Sequence, residues 1–531
     1  MEDRGCDVAE MQKFVGKTSF LLRGIFFFVH LHLQMRGKIA LNKLTNNKIN
    51  KYNKMSNDSK KSLYRQESDL LGARDVPAEA YYGVQTVRAI ENFNISGRLL
   101  CNYPNFIRGL AITKKAAAMA NVEVGMITPE QGEAIMWACD QLIEGKYHDQ
   151  FPIDMIQGGA GTSTNMAANE VIANLALERM GHKKGEYQYC SPNDVVNASQ
   201  STNDAYPCAI HMALALEHLA FMPHLEQMIA ALDYKRKEFA NVIKMGRTQL
   251  QDAVPMTLGQ TFGAFADSLR GEYKNLRNSA DEFLIVNMGA TAIGTGICSK
   301  PGYSEACIKA MRKITGWNIT LADNLIEATS ATTCMIAYSA AMKRLAIKTN
   351  KICNDLRLLS SGPRCGLNEI HLPERQPGSS IMPGKVNPVI PEVMNQVCYR
   401  VIGNDMTISL ASDNGQLELN VMEPVIAYTL FESIHLLEHG YDTLRNFCVD
   451  GIRANEERCR QLVEHSIGIV TMLNPIIGYK QSTKIAKEAS ETGRGVYELV
   501  LEHGLLTKEQ LDEILKPENM LQPMDLQKLE H

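Results

Sequence analysis

The 531-residue chain is 45% hydrophobic and 21% charged with 19 prolines, which excludes a disordered chain and allows two to four domains. Its net charge of −4 is uneven: residues 1–61 hold 12 Lys and Arg against 5 Asp and Glu, a balance of +7 that leaves −11 on residues 62–531. That acidic body excludes a nucleic-acid binder, because phosphate affinity needs clustered positive charge, and 13 scattered cysteines without a C-x-x-C pair argue against a disulfide framework or zinc site and for a reducing, cytoplasmic setting.

Taken in chain order, the first segment is anomalous. No acidic residue occurs between Met11 and Asn57, and SFLLRGIFFFVHLHLQ is an apolar run broken by Arg23, His30 and His32. It is shorter than the about 20 residues that span a bilayer, so no membrane segment is expected. Neither a small-residue cleavage pattern nor a serine-rich amphipathic run follows it. Residues 1–61 therefore read as a basic extension, disordered or dispensable, with Met55 as a candidate functional start.

Residues 62–202 read as an N-terminal domain mixing turns and helices. GARDVPAEAYYGVQT is irregular, whereas NFIRGLAITKKAAAMANVEVG and TPEQGEAIMWACDQLIEG are helical, the second with Thr128 as N-cap and Pro129 in the first position. A further helix is expected from near Thr164. Residues 203–457 read as a central helical bundle. From Leu325 to Leu359 apolar positions step by three or four without a proline, which predicts one helix of about 35 residues and about 50 Å. Similar periodicity surrounds Pro223, where a kink is expected, and follows Pro424. Helices this long and apolar call for a bundle that also packs against other subunits. Residues 458–531 read as a small helical C-terminal domain in which Thr507 and Gln510 have capping-box spacing.

Polar clusters punctuate this pattern. QGGAGTSTN precedes a helix start suited to an anion, without the G-K-[ST] of a phosphate loop. NASQSTNDAYP and KMGRTQLQDAVPMTLGQ gather hydroxyls and amides at two more helix boundaries. Between Ser361 and Pro388 about two dozen residues lack clear secondary structure, and a loop that long in a compact domain is usually functional or disordered. In PGSSIMPGKVNPVIPE, Ser379 and Ser380 supply hydroxyls, Gly378 and Gly384 let backbone N–H groups approach an anion, and Lys385 and Asn387 suit a carboxylate. Each cluster alone is more often a cap or turn. Together, with many neutral donors and few cations, they suggest a small dicarboxylate pocket. GATAIGTG at Gly289–Gly296 reads as a turn between bundle helices, since no strand is expected before it.

GSSIMPGKVNP resembles the signature loop of the fumarase/aspartase superfamily, and GGAGTSTN, QSTNDAYP and GRTQLQDAVPMTLGQ resemble its other shared segments, in the same order across residues 68–515. Within it, YYGVQTVRAIENFNISG, VNPVIPEVMNQV and LSSGPRCGLNEIHLPE are most similar to the branch that eliminates ammonia from L-aspartate. The resemblance implies a mainly α, three-domain fold whose long helices form a shared core in a homotetramer, with each active site built from three subunits. It implies reversible elimination of ammonium from L-aspartate to give fumarate, without an organic cofactor and with a divalent cation as an optional activator. Carried over by motif, Ser379 is the general base. Thr162, Ser201, Thr202 and Ser380 hold the β-carboxylate, Thr248, Lys385 and Asn387 the α-carboxylate, and Asn203 faces the amino group, with Met382 also lining the site. Gln249 stands where fumarases carry a histidine, beside the counterpart of Glu392; an amide cannot shuttle a proton, which favours deamination over dehydration. Ala167 replaces the asparagine common in the family. The alternatives are fumarate hydratase and a catalytically inactive structural homologue of the same fold.

Overall fold

The computed structural model describes residues 63–516 and 519, so the reading of residues 1–61 lies outside it. These residues fall into two compact units divided between Ala80 and Tyr81. The first contains an antiparallel hairpin, β1 (Tyr64–Asp69) and β2 (Gly72–Pro77), paired from Tyr64 opposite Pro77 to Asp69 opposite Gly72. Neither strand alternates apolar and polar residues, which is why the stretch reads as irregular. The Arg65 guanidinium donates to the carbonyls of Pro77, Ala78 and Ala80 at 3.0, 3.2 and 2.7 Å and ties the strand ends together.

The second unit is mainly α, as predicted. Its helices begin with α1 (Val84–Asn92), α2 (Pro104–Glu123), α3 (Pro129–Ile143) and α4 (Thr162–Arg179). Thr128 caps α3 in a reciprocal box with Gln131. No side chain of its own caps α1. The buried carboxylate of Glu170 on α4 does so instead, accepting from the backbone N–H groups of Gly83, Gln85 and Thr86 and from the Thr86 hydroxyl.

Next come α5 (Thr202–Glu238), β3 (Ile243–Thr248), β4 (Gln251–Thr257), α6 (Leu258–Ala280) and α7 (Tyr303–Thr315). α5 runs 37 residues and continues across Pro207 and Pro223. Gly109 lets α2 lie close against it: a Cβ there would stand 2.4 Å from the Ala209 carbonyl oxygen. The single helix expected from Leu325 to Leu359 is two, α8 (Leu325–Ser330) and α9 (Thr333–Leu359). Ala331 is extended between them. The short helix packs against the 287–296 segment: a Cβ at Gly294 would stand 2.4 Å from the Ile326 backbone, and Asn287 Nδ2 donates to Thr329 Oγ1 at 3.2 Å. A two-residue strand, Ile285–Val286, pairs in parallel with Thr320–Leu321. It does precede Gly289, contrary to expectation, but no helix starts until Tyr303, so a dinucleotide turn is still not formed.

α10 (Val389–Asp413) and α11 (Glu423–Phe447) complete the long helices. α5 packs on α2, α6 and α11, and α9 on α6 and α10. Leu225, Phe262, Tyr338, Leu345, Ile408 and Leu437 are among the fully buried side chains between them. α9 and α10 also carry apolar residues that the single chain leaves exposed: Ile336, Ile347 and Leu358 on one, Val393, Tyr399, Met406 and Leu410 on the other. The last three recur every three to four or seven residues, a single helix face. The chain ends in short helices, α12 (Glu456–Glu464), α13 (Val470–Ile477), α14 (Tyr479–Thr492), α15 (Val496–Glu502) and α16 (Lys508–Ile514), of which the last four enclose a separate small core around Leu473, Ile485, Leu499 and Leu511. Thr507 and Gln510 form the expected capping box. Among the described residues no helix is long and apolar enough to cross a membrane.

α4 begins two residues earlier than expected because Gly161 serves as its N-cap with φ +86°, a left-handed conformation. A Cβ at Gly161 would lie 2.4–2.5 Å from the buried ring of Tyr206. Gly161→Ala therefore meets both backbone strain and overpacking and should lose about 3 kcal/mol of stability in urea denaturation; a loss below about 0.5 kcal/mol would show that the ring yields freely.

Candidate active site

The first group of predicted residues lies where α4 and α5 begin. Thr162 is exposed at the head of α4, its hydroxyl donating to the Gly159 carbonyl at 2.7 Å. Gln157 secures the same turn, accepting from the Thr164 N–H and hydroxyl at 3.1 and 3.2 Å. Ser201 caps α5, and its own N–H donates to Asp204 at 2.9 Å. Asp204 is buried and also accepts from Gly289 and Thr291 N–H at 3.1 and 2.9 Å, which binds the head of α5 to the 289–296 turn. Burial pushes its carboxyl up to about 6 against the pull of those N–H bonds.

Thr202 and Asn203 are half-buried beside Ser201. Thr202 Oγ1 accepts from Asn165 Nδ2 at 3.2 Å, so its hydroxyl hydrogen is left to donate elsewhere. Asn203 Nδ2 donates to the Ala292 carbonyl at 2.8 Å. Its side-chain oxygen thereby faces away from that bond as an acceptor, the polarity a substrate ammonium group requires.

The second group sits on a β-hairpin, where sequence patterning suggests only a helix boundary. Thr248 pairs with Gln251, and Gln249 and Leu250 form the two-residue turn with φ of +52° and +63°. Both residues left-handed is the geometry of a type I′ turn, matched to strand twist, although neither is the usual Asn or Gly. Thr248 and Gln249 are therefore exposed at the tip. Glu369, fully buried at the start of the long loop, anchors the hairpin. Its carboxylate lies 2.7 Å from Arg247 Nη1 and 3.3 Å from Lys244 Nζ. Gln249 also lines a cavity of about 680 Å³ with Lys244, Arg247, Lys348, Lys351 and Asp355.

The third group is the loop itself, which between Ser360 and Pro388 contains only the two-residue strand Ile370–His371. Ser379 is half-buried, and its Oγ accepts the backbone N–H groups of Ile381 and Met382 at 3.2 and 3.0 Å. Two donors aimed at one hydroxyl oxygen favour its alkoxide. Gly378 N–H donates to the Lys385 carbonyl at 2.6 Å and Asn387 Nδ2 to the Gly378 carbonyl at 2.9 Å, closing the loop into a ring. Asn387 thus clamps the loop. Ser380, Met382 and Lys385 are exposed, while Glu392, in the first turn of α10, lies 3.9 Å from Arg357.

Among the described residues no hydrogen bond or ion pair joins the α4–α5 head to the hairpin tip or to Ser379, and the Glu369 carboxylate links the hairpin to the base of the loop. Ala167 faces the apolar core, not the site; Asn165 and Asn169 are the amides of α4 directed toward Asn197. No group of three or more His, Cys, Asp or Glu among the described residues is arranged to hold a metal ion.

Sequence reasoning passes over Asn165, Asn197 and Lys114. Lys114 on α2 is buried, and Nζ donates to Asn197 Oδ1 at 3.0 Å and Gln200 Oε1 at 2.8 Å. Burial pulls its ammonium down to about 7, partly countered by Asp204. A detectable signal exists: Lys114 falls on the buried stripe Ile107, Leu110, Ala111, Ala118, Asn121.

The sequence profile described as Lyase matches residues 72–403, and that described as Fumarase C C-terminus matches residues 469–522. The aspartate ammonia-lyase of Pseudomonas canavaninivorans is 58% identical over 466 residues, 88% of this chain and 98% of that protein. The cobalt-bound fumarate lyase:delta crystallin of Brucella melitensis superposes with a TM-score of 0.85 at 50% identity, covering 87% of this chain and 100% of the other. The class II fumarase of Schistosoma mansoni gives 0.82 at 35% identity, covering 87% and 100%.

Removing the Glu369 carboxylate leaves the buried Lys244 without an anion and Arg247 with only Asp252 at 3.9 Å. Glu369→Ala should lower stability by about 3–5 kcal/mol in chemical denaturation, and a change below about 1 kcal/mol would contradict its anchoring role.

Proposed function

The chain belongs to the Lyase family, within the fumarase/aspartase superfamily, and on that premise we propose that it is an aspartate ammonia-lyase. It is a carbon–nitrogen lyase that eliminates ammonia reversibly from L-aspartate to give fumarate. The observation that carries the assignment to the site is the pair of backbone N–H groups on Ser379 Oγ.

In this reading Ser379, as the alkoxide, takes a proton from the carbon next to the β-carboxylate. The electron pair moves onto that carboxylate, giving an enediolate held by Ser201, Thr202 and Ser380, and by Thr162 once its hydroxyl turns from the Gly159 carbonyl to the substrate. The enediolate then collapses, a carbon–carbon double bond forms, and the C–N bond breaks with its electrons leaving on ammonia. Because the amino group departs from an already protonated state, no acid is needed at Gln249, which can only hydrogen-bond. The Asn203 side-chain oxygen is suited to receive that ammonium, and Thr248, Lys385 and Asn387 border the α-carboxylate. Preorganised donors at the developing charge are worth about 3 kcal/mol each in comparable sites. No organic cofactor enters the scheme, a divalent cation being at most an activator.

A homotetramer with sites built from three subunits belongs to the same proposal. Two features support it: no hydrogen bond or ion pair joins the three polar groups among the described residues of one chain, and Tyr399, Met406 and Leu410 form an exposed apolar face on α10. Burying each such side chain is worth about 1.5–3 kcal/mol. Cytoplasmic residence is proposed with it, in keeping with the twelve free thiols of the described residues.

Purified enzyme should release fumarate from L-aspartate far faster than from L-malate, followed by ultraviolet absorbance; preference for malate assigns a hydratase, and turnover of neither an inactive homologue. Ser379→Ala should lower kcat about 10²–10⁴-fold while succinate still binds, and retained turnover would remove Ser379 as the base.

A further inference from the structure

Behind the head of α5 lies a polar assembly that the scheme above does not use. Asn197 Oδ1 receives three donors: Lys114 Nζ at 3.0 Å, Asn165 Nδ2 at 3.1 Å and Asn169 Nδ2 at 3.1 Å. Lys114 also holds Gln200, the residue before Ser201, at 2.8 Å. Asn165 uses its other N–H on Thr202 Oγ1 at 3.2 Å. A second contact from α2 fixes the same loop: Asn121 receives the Ser199 hydroxyl at 2.7 Å and donates to the Ala198 carbonyl at 2.8 Å. Ser199 is held there with φ +59°, a strained conformation for a serine.

Lys114 is an unusual group to bury. It is 1% exposed, and its ammonium meets two amide oxygens, with no carboxylate within ion-pair distance among the described residues. Asp204, the carboxylate whose field it feels, is committed to the N–H groups of Ser201, Gly289 and Thr291. An apolar side chain would fill such a slot without the desolvation cost of a charge. The cation is therefore placed where a further anion comes close, on the far side of Gln200, Ser201 and Thr202.

We propose that Lys114 is a positioning residue for proton abstraction: through Asn197 and Asn165 it turns the Thr202 hydroxyl toward the substrate's β-carboxylate, and its charge lies beneath that carboxylate as it becomes the enediolate. The proposal rests on the assignment of Thr202 to the β-carboxylate. Its contribution is larger in the transition state than in the bound ground state, because the carboxylate gains charge only as the proton leaves. Loss of Lys114 consequently acts on kcat more than on binding.

The test uses the full-length enzyme with Lys114→Met, which keeps length and removes charge, and Asn165→Leu, which removes the donor to Thr202. Lys114→Met should lower kcat about 10–100-fold, shift succinate affinity less than about threefold by calorimetry, and leave the unfolding midpoint unlowered. Asn165→Leu should reproduce the kcat loss, which keeps the proposal testable if Lys114→Met does not fold. A kcat within about twofold of native, or parallel losses in kcat, succinate affinity and unfolding midpoint, would overturn it and leave Lys114 a packing residue. The comparison is run on whichever of L-aspartate or L-malate the native enzyme turns over. Both reactions abstract a proton beside the same carboxylate, so a wrong choice of substrate is recognised separately from a wrong role for Lys114.

Discussion

The head of α5 depends on one buried carboxylate. Asp204 accepts the Ser201 N–H within its own capping box and the N–H groups of Gly289 and Thr291 from a distant turn, and so fixes Ser201, Thr202 and Asn203 to the body of the protein. A neutral hydroxyl or amide selects an anion only if its remaining hydrogen-bond directions are already occupied from behind. Asn165, itself held by Asn197, supplies that occupation for Thr202. Gln157 fixes the turn at the head of α4 through Thr164, and the Ile381 and Met382 N–H groups favour the alkoxide of Ser379.

This division explains why the site can be built almost entirely of neutral donors. A dicarboxylate bound by several cations would be held tightly in every state, whereas hydroxyls and backbone N–H groups respond most to the charge that develops during reaction. The cations near the site are placed with restraint. Lys244 and Arg247 are paired with Glu369, Arg247 also with Asp252, Lys114 meets amide oxygens, and Lys385 stands on the loop. The Gln249 turn fits the same logic, offering a hydrogen bond without a titrating group.

Much of this was legible in the residues. The three-to-four spacing of apolar positions announced the long helices, because a face buried along 25 residues or more leaves a pattern that no turn can imitate. The caps at Thr128 and Thr507 and the exposed Ser379 loop were equally plain. What escaped depends on contacts distant in sequence. The hairpins at 64–77 and 243–257 have polar strands and, at Gln249 and Leu250, left-handed turn residues without glycine. The break at Ala331 leaves no mark in the apolar spacing, and the amides behind Thr202 come from α4 and from the loop before α5. Lys114 was hidden for a different reason: a lysine in a helix is ordinarily a solvated one.

In the proposed tetramer, the Ser379 loop, the head of α5 and the hairpin tip of one site come from different copies of the chain. The most direct measurement of this is complementation between two inactive variants, Ser379→Ala and Thr202→Val, dissociated together and reassembled. Convergence across copies predicts recovery of about a quarter of the native rate, the share of sites that by chance draw both intact groups from different subunits. Recovery of no activity by properly mixed assemblies would place both groups in the same chain's site and contradict the account.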